Sequence, residues 1–411
     1  MKQFYAGAAW VDITPPLEVP YLSVSPRHSQ FSAVHDPLRV CAVVVSDGET
    51  PVALISVDSI GFDNRVLGAE ENYTAHVRRL ISQSCGITPE NIFLSAGHIH
   101  SSPDMLNFRD LSGFPQAKPW FYEIARRTAQ AVAQAFDALS PAVLKHISGQ
   151  VEGVSENRRE DDFIDKQLIT LMFECENGTN IVISHFACHP VIVQAQPLVS
   201  ADYVGVMRKT VEEGLPNSVF MLLQGCAGDT NPNADGKGGF EQVLDAGLIL
   251  GTSALEQAKQ MLGQNSVSPC DILCVRKEIL LPSRKLPSAA QLGIYADDED
   301  AQARIDEGEI VYPCELQAIK LGECLVLGIA GEPFCQMGLE LKKQMTEFVC
   351  MPTGYANGYV GYICPPQAFE KGGYETEIGP WCKVSGDSFD IIMNTLGELY
   401  NELRRRNDCY E

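Results

Sequence analysis

The stretch Leu94-Ser95-Ala96-Gly97-His98-Ile99-His100-Ser101-Ser102-Pro103-Asp104 sets an apolar run against a loop of small residues, and the loop holds two of the chain's eight histidines. Residues 91–95 read as a short strand, with His98 at its exit. In an extended backbone residues i and i+2 point to the same side, about 6.5 Å apart. The spacing therefore brings two imidazoles over one spot. Such a pair suits the grip of a metal ion, or a ligand beside an acid–base group. A polar surface loop or a chance His-x-His is the plainer reading, so the rest of the chain has to decide.

Working outward, apolar strands and amphipathic helices alternate. Residues 40–45 and 51–57 flank Asp47-Gly48 and read as a hairpin. A helix is expected over 69–84, closed by Gly86, and another over 120–139. Residues 168–175 and 181–186 form a second hairpin around Asn177-Gly178, leading into Ala187-Cys188-His189-Pro190. A strand over 219–223 ends at Gln224-Gly225-Cys226-Ala227-Gly228-Asp229. A helix over 242–261, strands over 272–279 and 316–328, a strand-like stretch over 349–362 and a last helix over 389–406 complete the pattern. His98, His189, Asp229 and Glu332 each follow an apolar strand, a common way to build a site on a layered α/β scaffold. The fold class expected is α/β, with large mixed sheets flanked by helices. No proline- or serine-rich linker divides the chain, so residues 1–411 read as one domain. No glycine-rich phosphate loop is present, and neither is the Gly-x-Ser-x-Gly elbow of serine hydrolases.

The 411 residues are 45% hydrophobic and carry a net charge of −22. Such a surface repels phosphate backbones and anionic headgroups, which argues against nucleic acid and stable membrane anchoring as partners and for a small-molecule substrate. The densest acidic run, Asp297-Asp298-Glu299-Asp300 with Asp306, Glu307 and Glu309, reads as a solvated surface. No apolar run reaches membrane-helix length, and the N-terminus passes at once into a patterned segment, so a cytoplasmic location is expected. The 14 cysteines are scattered without a Cys-x-x-Cys pair, and read as reduced, mostly buried thiols.

Several motifs fall in one order. They are Ala6-Gly7-Ala8-Ala9-Trp10-Val11-Asp12-Ile13-Thr14-Pro15-Pro16, His35-Asp36-Pro37-Leu38-Arg39, Ser56-Val57-Asp58, Glu90-Asn91-Ile92, the His98 loop, Asn157-Arg158, Phe186-Ala187-Cys188-His189, Ala227-Gly228-Asp229 with Pro232-Asn233, Gly331-Glu332, Asn357-Gly358-Tyr359-Val360-Gly361-Tyr362-Ile363 and Tyr374-Glu375. In this order the chain resembles the neutral, non-lysosomal ceramidases in their N-terminal catalytic domain. The resemblance implies two sheets packed between helical layers and one zinc ion. By motif position it implies His98, His189, Glu332 and Tyr362 as metal ligands. It places the acid–base and substrate-orienting groups on His100, Arg158 and Tyr374. Two imidazoles, a carboxylate and a phenolic oxygen would leave zinc room for a water, as catalytic sites do.

Each residue also has a plainer reading. His189 would be a satisfied core histidine, Glu332 an acceptor for backbone N–H groups in a turn, the tyrosines packing aromatics, and Arg158 part of a surface charge cluster.

The chain departs from the family in two places. Gly225 stands where the family has an active-site serine, so a zinc-bound hydroxide is the expected nucleophile, with Cys226 a weak substitute. The chain also stops soon after its last helix, so the family's C-terminal β-sandwich domain is not expected. The function expected is a zinc-dependent amidase acting on an N-acylated small molecule. An ester or lactone hydrolase on a carbohydrate or polyol derivative, and a non-catalytic metal-binding protein, are the alternatives.

Overall fold

Alternation along Arg39–Ser46 explains the layering. Val40, Ala42 and Val44 enter one hydrophobic core, and Cys41, Val43 and Val45 enter another. A strand with both faces apolar must be covered on both sides. The computed structural model describes residues 3–21, 30–68, 70–108, 111–233, 238–264, 269–284 and 310–408. Helices cover one face of this strand's sheet and a second sheet covers the other.

The first sheet has eight strands, in the spatial order Ser218–Gln224, Asn180–Phe186, Gln167–Cys175, Ser140–Gln150, Phe4–Asp12, Arg39–Ser46, Pro51–Val57 and Ile92–Ala96. Its outermost pair at each edge is parallel and the rest are antiparallel. The second sheet orders Ile272–Pro282, Val311–Leu321, Cys324–Ile329 and Val349–Thr353. Ile319, Leu321, Cys324 and Val326 pack into the core between the sheets. Leu316, Ala318, Leu325 and Leu327 pack the other way, against helices Cys335–Gln344 and Asp387–Asp408. Helices Tyr73–Cys85, Ala117–Asp137, Asp202–Gly214 and Phe240–Met261 close the far side of the first sheet. The result is the expected α-β-β-α layering.

The first sheet curls so that its two edges meet. The Ser56 hydroxyl donates to the Leu222 carbonyl at 2.7 Å, although their strands lie far apart in the sheet order. This curl brings the exits of the two parallel edge pairs to one place, and those exits carry His98 and His189.

Some expectations need correction. The run 316–328 is two strands, turned at Gly322, whose φ of 56° puts it in the left-handed region that glycine tolerates. Of 349–362 only Val349–Thr353 and Tyr362–Ile363 are strand. Between them Tyr355 and Asn357 take positive φ, which ends the pairing. The first helix starts at Tyr73 because the Asn72 side chain caps it, accepting from the Ala75 N–H at 2.8 Å. Gly86 closes that helix as expected. The acidic run 297–309 lies outside the described residues. Most of the described cysteines are buried free thiols. Among the described residues no helix is long and apolar enough to cross a membrane.

Candidate active site

His98 leaves its strand by a turn stitched to the neighbouring chain. Gly97 N–H donates to the Val57 carbonyl and Ile99 N–H to the Ser59 carbonyl. His98 itself has φ 59°, a left-handed conformation that costs a non-glycine residue about 1–3 kcal/mol and collects at functional sites. The extended-backbone argument is thus corrected in its route. The two imidazoles do share one spot, with His98 Nε2 and His100 Nε2 3.1 Å apart, but a turn brings them together.

Each ligand candidate is held from behind. His98 Nδ1–H donates to the Ile60 carbonyl at 2.6 Å, and His189 Nδ1–H donates to the Ala227 carbonyl at 2.6 Å. A carbonyl only accepts, so both Nδ1 atoms carry a proton and the Nε2 atoms are the ones turned into the site. Both Nε2 atoms face one carboxylate oxygen. Glu332 Oε2 lies 3.3 Å from His98 Nε2 and 3.2 Å from His189 Nε2. Burial lowers the pKa of His189 to about 4, aided by His98, so its ring is neutral at pH 7. Burial would raise the Glu332 carboxyl, but His98 and His189 hold it well below the usual range. His100 is likewise pushed well down, first by burial and then by His98 and His189.

The donor set fits a small divalent cation. Ligand bonds of about 2.0–2.1 Å in tetrahedral geometry separate neighbouring donors by about 3.3 Å. His98, His100 and His189 form the one group of three metal-capable side chains among the described residues. The His98 ring is stacked on Tyr355 at 3.9 Å, and the Tyr355 hydroxyl is buried without a hydrogen-bond partner.

Glu332 comes from the second sheet's side of the molecule. It pairs in parallel with Tyr362, and Tyr359 donates its hydroxyl to Glu332 Oε1. Sequence reasoning passed over Tyr359 as a packing aromatic. Its only sequence signal was its place in the Asn357–Ile363 motif. Tyr359→Phe is expected to leave Oε1 unpartnered and to lower metal affinity about 10–100-fold, the usual effect of an outer-shell loss. Competition against a chelating dye measures it.

Arg158 sits beside this group. Its guanidinium donates to Glu375 (2.7 Å), the Asn231 side chain (3.2 Å), the Gly228 carbonyl (2.8 Å) and the Tyr362 hydroxyl (3.0 Å). Arg159 shares the Glu375 carboxylate. The Asn157 amide donates to Asp229, whose other oxygen accepts from the Cys335 N–H. Asp229 therefore ties the loops together and takes no place among the donors. Burial pushes its pKa up to about 6. Burial raises the Tyr362 hydroxyl far above its ordinary range, with Arg158 opposing. Tyr374 lies at the rim, 41% exposed, stacked on Trp381 at 5.3 Å and edge-on to Tyr362 at 5.9 Å. Phe108 continues this aromatic rim towards Trp381 and Tyr359. All the site residues read from sequence thus meet in one region. His98, His100, His189 and Glu332 are in direct contact there, and Arg158, Tyr362 and Tyr374 form its flank.

The space beside Gly225 is taken by Ala187. A Cβ built there would stand 2.9 Å from the Ala187 Cβ and 3.1 Å from its Cα. Gly225 N–H donates to the Phe186 carbonyl at 2.8 Å, so the backbone cannot swing away without breaking the sheet. Gly225→Ser is expected to cost about 1–3 kcal/mol by overpacking and to add no activity. Ala187→Gly in the same chain should recover stability, as read by urea unfolding. Cys226 faces away from the site into the second sheet's outer core, and burial pushes its thiol far up, so it is no nucleophile.

No family model matches the chain. A protein named neutral ceramidase from Mycobacterium tuberculosis (strain ATCC 25618 / H37Rv) is 22% identical over 81% of this chain and 67% of that protein. The crystal structure of neutral ceramidase from Pseudomonas aeruginosa superposes with a TM-score of 0.78 at 19% identity, covering 99% of this chain and 75% of that one. A structure described as ceramidase complexed with C2 gives 0.77 at 17% identity, covering 99% and 76%. At such identities the structural likeness speaks for the fold, and the sequence match adds the relation. In sequence the chain is similar to a neutral ceramidase, and its fold is that of the neutral ceramidase structures.

Proposed function

We propose that this chain is a zinc-dependent amidase of the ceramidase type that cleaves an N-acylated small molecule. One observation carries the reading. Two imidazole Nε2 atoms, each ring held by a carbonyl at its Nδ1, meet one buried carboxylate oxygen at 3.2–3.3 Å, a donor spacing that suits a bound cation. His98, His189 and Glu332 would hold the metal, with Tyr362 as the fourth donor from the paired strand. When bound, the metal would polarise the scissile carbonyl and lower the pKa of water toward neutrality. His100, with Nε2 beside His98, takes a proton from the attacking water and passes it to the leaving amine. Arg158 spends four of its five N–H donors on the protein and keeps one for the oxygen of the attacked carbonyl. Tyr374 closes the other side of that oxygen from the rim. With no side chain at Gly225, water is the nucleophile that remains. The name of the relatives favours an amide bond over an ester.

Metal analysis together with paired amide and ester substrates of one acyl group tests this. The expected result is one zinc per chain, activity lost on chelation and restored by zinc, and preference for the amide. His100→Ala is expected to keep the metal and lose about 10²–10⁴ in kcat. Protein without stoichiometric zinc, and without zinc-restored hydrolysis, would sink the reading. Loss of metal in His100→Ala would move His100 into the ligand set.

A further inference from the structure

Tyr355 is strained in its backbone and unsatisfied in its side chain. Its φ of 55° is left-handed, an outlier for a bulky residue. The side chain is fully buried, and its hydroxyl finds no hydrogen-bond partner among the described residues. A buried hydroxyl left unpaired costs its desolvation, and phenylalanine would fill the same space without that loss. Contacts on both sides fix the strained backbone. Tyr355 N–H donates to the Gly331 carbonyl at 2.8 Å, and the Tyr355 carbonyl accepts from Ala96 N–H at 3.1 Å. The residue is thus tied both to the strand that leads to His98 and to the turn that carries Glu332. Its chain also runs beside Gly225, which offers no side chain: Thr353 bridges to Gly225, and Gly354 N–H donates to the Gln224 carbonyl at 3.0 Å.

This backbone sets the ring against the metal donors. The Tyr355 ring is stacked on the His98 imidazole, with centroids 3.9 Å apart and planes tilted by 18°. It stands edge-on to the His189 ring at 6.3 Å. Burial raises the pKa of the hydroxyl, Glu332 and Tyr362 add to the rise, and Arg158 opposes it, so the group lies in the field of the site's own residues. We infer that Tyr355 is a further catalytic residue, whose hydroxyl donates to the oxygen that becomes negative as the amide carbonyl is attacked. A phenol can donate one hydrogen bond, and a donor held in place before the reaction stabilises charge that develops during it. The stack on His98 and the fixed backbone hold the ring, so the hydroxyl has little freedom to lose when substrate enters. The inference rests on the amidase reading for the reaction, and on the placing of Tyr355 for the contact.

Tyr355→Phe keeps the stack and removes only the hydroxyl. In the zinc-loaded full chain this variant should retain its metal. Its kcat and kcat/KM should fall together by about a hundredfold, as when one oxyanion donor is lost. Acetohydroxamate, whose oxygens mimic those of the attacked carbonyl, should bind about tenfold more weakly, the effect of one lost hydrogen bond. In the chain stripped of metal by chelation, Tyr355→Phe should unfold at the same urea concentration as the unaltered protein or at a higher one, because it sheds an unsatisfied group. A lower midpoint would show the hydroxyl bonded within the protein and would overturn the inference, whatever the activity. An active enzyme whose Tyr355→Phe variant turns over normally would overturn it too. A chain that hydrolyses no acyl substrate, yet loses acetohydroxamate affinity in Tyr355→Phe, would refute the amidase reading and leave the contact standing.

Discussion

Glu332→Ala is expected to empty the metal site. The Glu332 carboxylate is the one charged group among the imidazoles, and its Oε2 touches both His98 and His189. Without it the remaining donors in contact carry no negative charge, and a divalent ion loses its charge partner. Outer-shell losses alone cost about 10–100-fold in affinity, so loss of a ligand should exceed about a hundredfold. After gel filtration the variant should hold less than a tenth of the metal of the unaltered chain, measured by elemental mass spectrometry. His189→Ala should behave alike, because it removes the second imidazole facing the same oxygen. Glu332→Gln separates charge from shape, since it can still accept from Tyr359 and should still lose the metal. Full retention in Glu332→Ala would point instead to a donor set of His98, His100 and His189.

Arg158→Met is expected to cost both stability and turnover. The guanidinium is mostly buried and bonded to four groups, and it shares the buried Glu375 carboxylate with Arg159. Removing one partner of a buried pair typically costs about 3–5 kcal/mol, because the other charge stays buried. Urea unfolding should show that loss. Arg158→Lys should not rescue it, since an ammonium cannot reach four acceptors arranged for a planar fork. The double change Arg158→Met with Glu375→Gln removes both charges and should recover part of the stability. It should recover no turnover, because the donor facing the substrate oxygen is still missing. A single variant that unfolds as the unaltered chain does and turns over normally would remove Arg158 from the site.

The alternating apolar strands made the layers legible before any coordinates. The period-2 pattern of residues 40–45 has a direct physical cause, since both faces of that strand are buried. Hairpins at Gly48 and Gly178 were readable because positive φ selects glycine. What escaped was the turn at Gly322, hidden inside one long apolar run, and the broken path of 349–362. There Tyr355 and Asn357 adopt left-handed backbone that no local pattern announces. The tertiary contacts of that path decide its course, with Tyr355 stacked on His98 and Tyr359 holding Glu332.

The candidate donors could be proposed from sequence because the family resemblance limits the positions and ligand chemistry restricts the residue types. The residues that aim them could not. Ile60 and Ala227 act through backbone carbonyls, which any residue carries. Gly225 is the sharpest case. Sequence showed only that the serine which the resemblance implies was missing there. Only the packed structure showed that Ala187 fills the space, so no side chain fits. By itself the sequence determined the layered α/β class, because periodicity is a local property, and through the order of its motifs it offered the candidate site residues. The tertiary structure alone decided that His98 and His189, on opposite edges of one sheet, stand together. That depends on the curl joining Ser56 to Leu222, a long-range contact between strands far apart in sequence.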